Sequence, residues 1–158
     1  MSASPTRVGR PSAADVLRRE AETRRSAASL LTQALQYLKH PSRLSESPLC
    51  ALEGVKQQAE SLRGYRFPRA SVVIGAVHDA YEAAWAELGE TEDAVCLIAL
   101  GDALAGLSRE ASAGKAGVSP TEISRRRREA VEIIIDQVLD LLDNGPSSAS
   151  LRTTRGDR

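Results

Sequence analysis

Three observations predict an all-α fold. Apolar residues recur at three- and four-residue steps in one segment after another. No segment alternates with period two over the length of a strand. Ser, Thr, Pro and Gly fall where such helices would start and stop. About six helices are expected, the last three forming a unit of their own, with no internal repeat. The 158 residues fit one domain and suffice for a hydrophobic core.

The first 11 residues are small, polar and interrupted by Pro and Gly, which predicts a mobile basic tail. Ser12 then caps a long helix running to about Lys39. Its apolar positions Leu17, Ala21, Ala28, Leu31, Leu35 and Leu38 come close to a heptad seam, broken by Arg24. That seam serves either a dimer or the rest of the same domain. His40-Pro41 breaks this helix. Ser47-Pro48 starts the next, with Leu49, Leu52, Val55, Ala59 and Leu62 on one face and Gly64 as its stop. A loop is expected from Tyr65 to Arg69. A third helix follows from Ser71, carrying Val73, Val77, Ala80, Ala84 and Leu88 and ended by Gly89.

Thr91 is read as the cap of a fourth helix with Val95, Ile98 and Leu104 inward and Gly101 as its weak point. Gly106 stops it, Ser108 caps a short fifth helix, and Gly117 ends that one. The strongest start signal comes next. Ser119 is a good N-cap, Pro120 occupies the first helical position, and Glu122 completes a capping box. Val118 and Ile123 bracket the cap at the spacing of a hydrophobic staple. This last helix should run to about Asp143, roughly 36 Å, and stop at Asn144-Gly145-Pro146. Residues 146–158 are expected to be a second mobile tail.

The formal net charge is zero, from 21 basic and 21 acidic residues, so overall charge names no partner. Its distribution is uneven: residues 79–102 hold seven acids and no Lys or Arg, while Arg125 to Arg128 form an unbroken basic run. On helical geometry Thr121, Ser124, Arg125 and Arg128 share one face, opposite Ile123, Ala130 and Ile134. As a solvated helix surface, the same run would be neutralised by Arg125–Glu129 and Arg128–Glu132 pairs.

The segment Leu107-Ser108-Arg109-Glu110, with Ala113, Gly117, Val118-Ser119, Ile123, Arg126 and Ala130-Val131, resembles a helix-turn-helix. It is most similar to the fourth region of bacterial sigma factors and to LuxR-type regulators. The resemblance spans about forty residues, Leu100 to Leu139. It implies a sequence-specific, double-stranded DNA-binding transcriptional regulator, such as a phage late-gene regulator, reading the major groove with the helix that starts at Pro120. Thr121, Ser124, Arg125 and Arg128 would then face base edges. Lys115, Ser119 and Arg126 would contact phosphates. On this reading residues 12–89 are a helical support or dimerisation region and residues 90–145 the DNA-binding region. The chain departs from the pattern at three places. Ser112 stands at a usually apolar site, Gly114 lies within a helix, and Arg127 takes a position where such families usually place Leu. The stem of Arg127 is expected to cover the core while its guanidinium reaches solvent. A homo-oligomer is expected, a dimer above all, and RNA polymerase is a further expected partner. The alternatives are a DNA-packaging subunit of the small-terminase kind and a helical adaptor that binds RNA polymerase or another protein through the acidic middle.

Other chemistries find little foothold. No nucleophile elbow, phosphate loop or zinc-protease motif is present, and no enzyme activity or cofactor is expected. His78, Asp79 and Glu82 lack further ligands for a metal. Cys50 and Cys96 read as buried thiols of a reducing compartment, and a cytoplasmic location is expected. No apolar run reaches membrane-spanning length. Tyr37, Tyr81 and Trp85 read as core or interface residues, and one Phe and one Trp give no stacking platform for single strands. Arg155-Gly156-Asp157 matches an adhesion tripeptide by chance.

Overall fold

A computed structural model describes residues 12–145. The two expected tails, with the Arg-Gly-Asp tripeptide, lie outside them. The described residues form seven α-helices: α1 (Ala13–Ala34), α2 (Pro41–Leu44), α3 (Glu53–Ala59), α4 (Pro68–Leu88), α5 (Ala94–Leu104), α6 (Arg109–Ala116) and α7 (Pro120–Asn144). None of these is long and apolar enough to cross a membrane.

The centre of the fold is α7, which packs on α1, α3, α4, α5 and α6. Its second half supplies Ala130, Val131, Ile134, Ile135, Val138, Leu141 and Leu142 to the main core. Leu31 comes from α1, Leu38 from the turn that follows it, Val73 and Val77 from α4, and Leu97 and Leu100 from α5. The core therefore draws on both sides of residue 89. A second, smaller cluster joins Ala99, Ala113 and Ile123, with Val118 against it.

Several boundaries differ from those expected, each for a local reason. The first helix, expected to reach about Lys39 and to be broken by His40-Pro41, ends at Ala34 and passes into a 3-10 turn, Leu35–Tyr37. Pro41 instead begins a short helix, since a proline costs nothing at the first helical position. The segment from Ser47 is divided: a 3-10 turn, Pro48–Ala51, ends where Leu52 turns extended (ψ 142°), and α3 starts after it. Phe67-Pro68 starts α4 three residues before Ser71 for the same reason as Pro41. Thr91 caps a turn rather than α5; its Oγ1 donates to the Leu88 carbonyl and accepts from the Asp93 N–H.

The inward face of α5 is also corrected. Val95 and Ile98 are each 43% exposed, while Leu97, Leu100 and Leu104 are buried. Six successive apolar residues, Val95 to Leu100, give the helix no polar side by which pattern alone could phase it. Gly101 sits within α5 because the Tyr81 hydroxyl occupies the space a side chain would need. In α1 the seam is buried only from Ala27 onward, and Leu17 is 65% exposed. Arg24, the break in the seam, reaches α7: its Nη1 lies 2.7 Å from Glu132 Oε1 and its Nε 3.0 Å from Asp136 Oδ1.

Candidate nucleic-acid interface

The turn between α6 and α7 follows from three residues. Gly117 closes α6 at φ 72° and ψ 32°, a left-handed conformation that disfavours any residue with a Cβ. Val118 folds back onto Ala99, Ala113 and Ile123, as a hydrophobic staple requires. Ser119 Oγ accepts from the Glu122 N–H at 3.1 Å and caps α7. At the start of α6, Ser108 Oγ accepts from the Ala111 N–H at 3.0 Å in the same way.

The other half of the expected capping box is not made. The Glu122 carboxylate turns along the helix to Arg125 and to Arg126, whose Nε lies 3.0 Å away. Charge-assisted bonds to two guanidinium groups outcompete a bond to one backbone N–H. They also hold Glu122 well below the usual carboxylate range, at about 2.

The departures from the family-like pattern form a connected system. Ser112 is fully buried, and its hydroxyl donates to Asp102 Oδ2 at 2.7 Å. Lys115 Nζ, at 2.5 Å, donates to the other oxygen of the same carboxylate. Burial raises the pKa of Asp102, but the bonds from Lys115 and Ser112 outweigh it and hold the group below its ordinary value. A polar pair thus joins α5 to α6 where an apolar contact was expected. Gly114 meets no neighbour where a Cβ would stand, and so lies on the open side of α6.

Arg127 does not run free into solvent as expected, but is held at the edge of the small core. It is half-buried; its Nε donates to the Ala99 carbonyl at 3.2 Å and an Nη to the Leu107 carbonyl at 3.3 Å. Burial pushes its pKa down, with the nearby Asp102 charge opposing. A Leu in its place would pack against the same helices but leave both carbonyls without this donor.

The outward face holds the residues singled out from the sequence. Thr121, Arg125 and Arg128 are exposed and Ser124 is half-buried, accepting from Arg109 Nη1 at 3.2 Å. Their electrostatic states differ. Arg125 is paired with Glu122 and Glu129, and Arg126, only 20% exposed, lies against Glu122. Lys115 is committed to Asp102. Arg128 has no acidic partner among the described residues, because Glu132, the expected one, is held by Arg24. The sequence marked Arg128 without revealing this, since Arg24 is more than a hundred residues away. Asp102 was missed, although an acid among the apolar residues of α5 is the signal of a buried polar contact.

Elsewhere, Cys50 and Cys96 are free thiols; Cys50 is buried against the Leu44 carbonyl as expected, whereas Cys96 is only half-buried. Tyr81 stacks on Trp85 at 6.4 Å, with Trp85 40% exposed. Among the described residues no three His, Cys, Asp or Glu side chains are grouped to hold a metal. No protein family, curated protein or solved structure matches the chain.

Proposed function

We propose that this protein is a sequence-specific DNA-binding regulator whose α6 and α7 form a helix-turn-helix, with the first half of α7 reading the major groove. The observation that carries the proposal is the junction at Gly117 to Ile123. A left-handed glycine, a capped helix start and a four-residue apolar cluster hold two helices together while leaving Thr121, Arg125 and Arg128 outward. Arg128 is the principal base-reading residue, because no acid competes for it among the described residues. An Arg bonded to a guanine edge through two donors adds about 1–3 kcal/mol of discrimination. Arg125 must exchange Glu122 and Glu129 for DNA. Ser119 and Arg126 would contact phosphates, and Lys115 would do so only by giving up Asp102.

Two copies joined through the exposed first half of α1 would present two such helices to one duplex. A cytoplasmic site of action belongs to the same proposal. Selection from a pool of randomised duplexes tests it. A recovered motif, weakened in its preference by Arg128→Ala, is the expected result; a pool that stays random would remove the proposal.

A second reading, a protein-binding adaptor with RNA polymerase among its partners, is favoured by one observation. Trp85, Val95 and Ile98 are exposed apolar side chains within the acidic stretch of residues 79–102. Polymerase capture that survives Arg125→Ala/Arg128→Ala but is lost in Trp85→Ala would favour it. A ring of eight or so copies in light scattering would instead favour DNA packaging.

A further inference from the structure

The end of α1, the turn between α5 and α6, and the first half of α7 enclose a cleft of about 580 Å³. That is within the usual range of small-ligand sites, about 300–1,000 Å³. Five basic side chains line it, Lys39, His40, Arg109, Arg127 and Arg128, and none of its described lining residues is acidic. Their placement follows from the fold. Arg127 is tied to the carbonyls of Ala99 and Leu107, and Arg109 is tied to Ser124. The Lys39 stem lies across Gly106, where a Cβ would stand 2.9 Å from its Cε.

Most other ion-paired cations of this fold lie against carboxylates at hydrogen-bond distance. Arg24 meets Glu132 and Asp136, Lys115 meets Asp102, and Arg125 and Arg126 meet Glu122. In the cleft the nearest acid partner is Glu110, 3.6 Å from Arg109 and 67% exposed. A concave site that gathers like charges, with no acid in its own lining, concentrates anions from solution. Arg forks and a Lys ammonium together match a phosphate group, which accepts several charge-assisted bonds.

We propose that this cleft binds a phosphate-bearing ligand through Lys39, Arg109 and Arg127, with the exposed Arg128 at its border. The phosphate comes either from the backbone of a bound duplex or from a free phosphorylated small molecule. Only the first source rests on the DNA-reading proposal. In the first case the end of α1 becomes part of the DNA interface; in the second the site reports a metabolite to the reading helix through Ser124 and Arg128, which border both.

The test uses the full chain, inorganic pyrophosphate as the probe, and the variant Lys39→Gln/Arg109→Gln, with a melting curve to confirm folding. Pyrophosphate binding to the wild type should weaken in the variant by at least about tenfold, the loss of one charged hydrogen bond. If the duplex is the source, the variant also binds all DNA sequences more weakly, with a salt slope lower by about two. DNA binding that stays unchanged while pyrophosphate binding falls assigns the site to a free ligand. Equal or absent pyrophosphate binding in both proteins, together with unchanged DNA binding, overturns the proposal. That result beside a loss of DNA binding in Arg125→Ala leaves the DNA reading standing; pyrophosphate binding without any DNA binding leaves only the cleft.

Discussion

From Ala130 to Leu142 α7 buries seven apolar side chains in the main core, whereas from Pro120 to Glu129 only Ile123 is buried. The second half is held by close packing, with its last carbonyls at Leu141 and Leu142 each bonded by Gln58 Nε2 at 2.9 Å. The first half is held by a cap, a staple, and the bonds of Arg127 to two carbonyls. One continuous helix thus passes from an anchored segment to a displayed one. A helix that must meet a partner needs a face without core contacts, and rigidity then has to come from its other end.

The largest test of that contrast compares equal deletions in the two halves. Ile134→Ala should cost about 4 kcal/mol and Ile123→Ala about 2 kcal/mol, because the small cluster around Ile123 can close more easily over the lost volume. Urea denaturation of both variants measures this; equal losses would show that the first half is as firmly packed as the second. Next is the polar joint between α5 and α6. Asp102→Ala should cost about 2 kcal/mol, since the buried Ser112 hydroxyl loses its acceptor. The native pKa of Asp102 lies below its unfolded value. Its contribution is therefore full above the ordinary carboxylate range and is lost as pH falls through the lower native pKa. Melting curves across acid pH should show the wild type falling toward the variant, and parallel curves would contradict the account.

Smaller again, Gly117→Ala should cost about 1 kcal/mol from the left-handed backbone alone, with little change in the main core. An unaltered melting temperature would mean that the turn does not impose this conformation. The smallest stability effect is expected at Glu122→Gln, a half-buried site on the helix surface whose i,i+3 and i,i+4 pairs each contribute little. Its effect on binding should be the opposite of small. Releasing Arg125 and Arg126 should tighten DNA binding and steepen its salt dependence, and weaker binding would place Glu122 itself among the contacts.

The helical class, the chain breaks at Gly106 and Gly117, and the capped start at Ser119 were legible because each depends on neighbours within four residues. The start of the inward face of α7 was legible for the same reason: Ile123, Ala130 and Ile134, placed together by helical spacing, are all buried. The phase of α5 was not, because its apolar run has no polar side. Nor were the fates of Arg127 and Arg128, which depend on distant groups: the Ala99 and Leu107 carbonyls hold Arg127, and Arg24 draws Glu132 away from Arg128. The sequence placed Ser124, Arg125 and Arg128 on one face. Only the packing separates Arg125, paired with two acids, from Arg128, paired with none among the described residues.

The central claim, that the displayed half of α7 meets DNA, is tested most directly by duplex binding as a function of salt for the wild type and Arg125→Ala/Arg128→Ala. The wild type should bind at about 50 mM salt and lose affinity steeply as salt rises. The double variant should lose affinity for the preferred site and its sequence preference, while the salt dependence set by the phosphate contacts remains. Absence of binding at that salt, or superimposable curves for the two proteins, would contradict the claim.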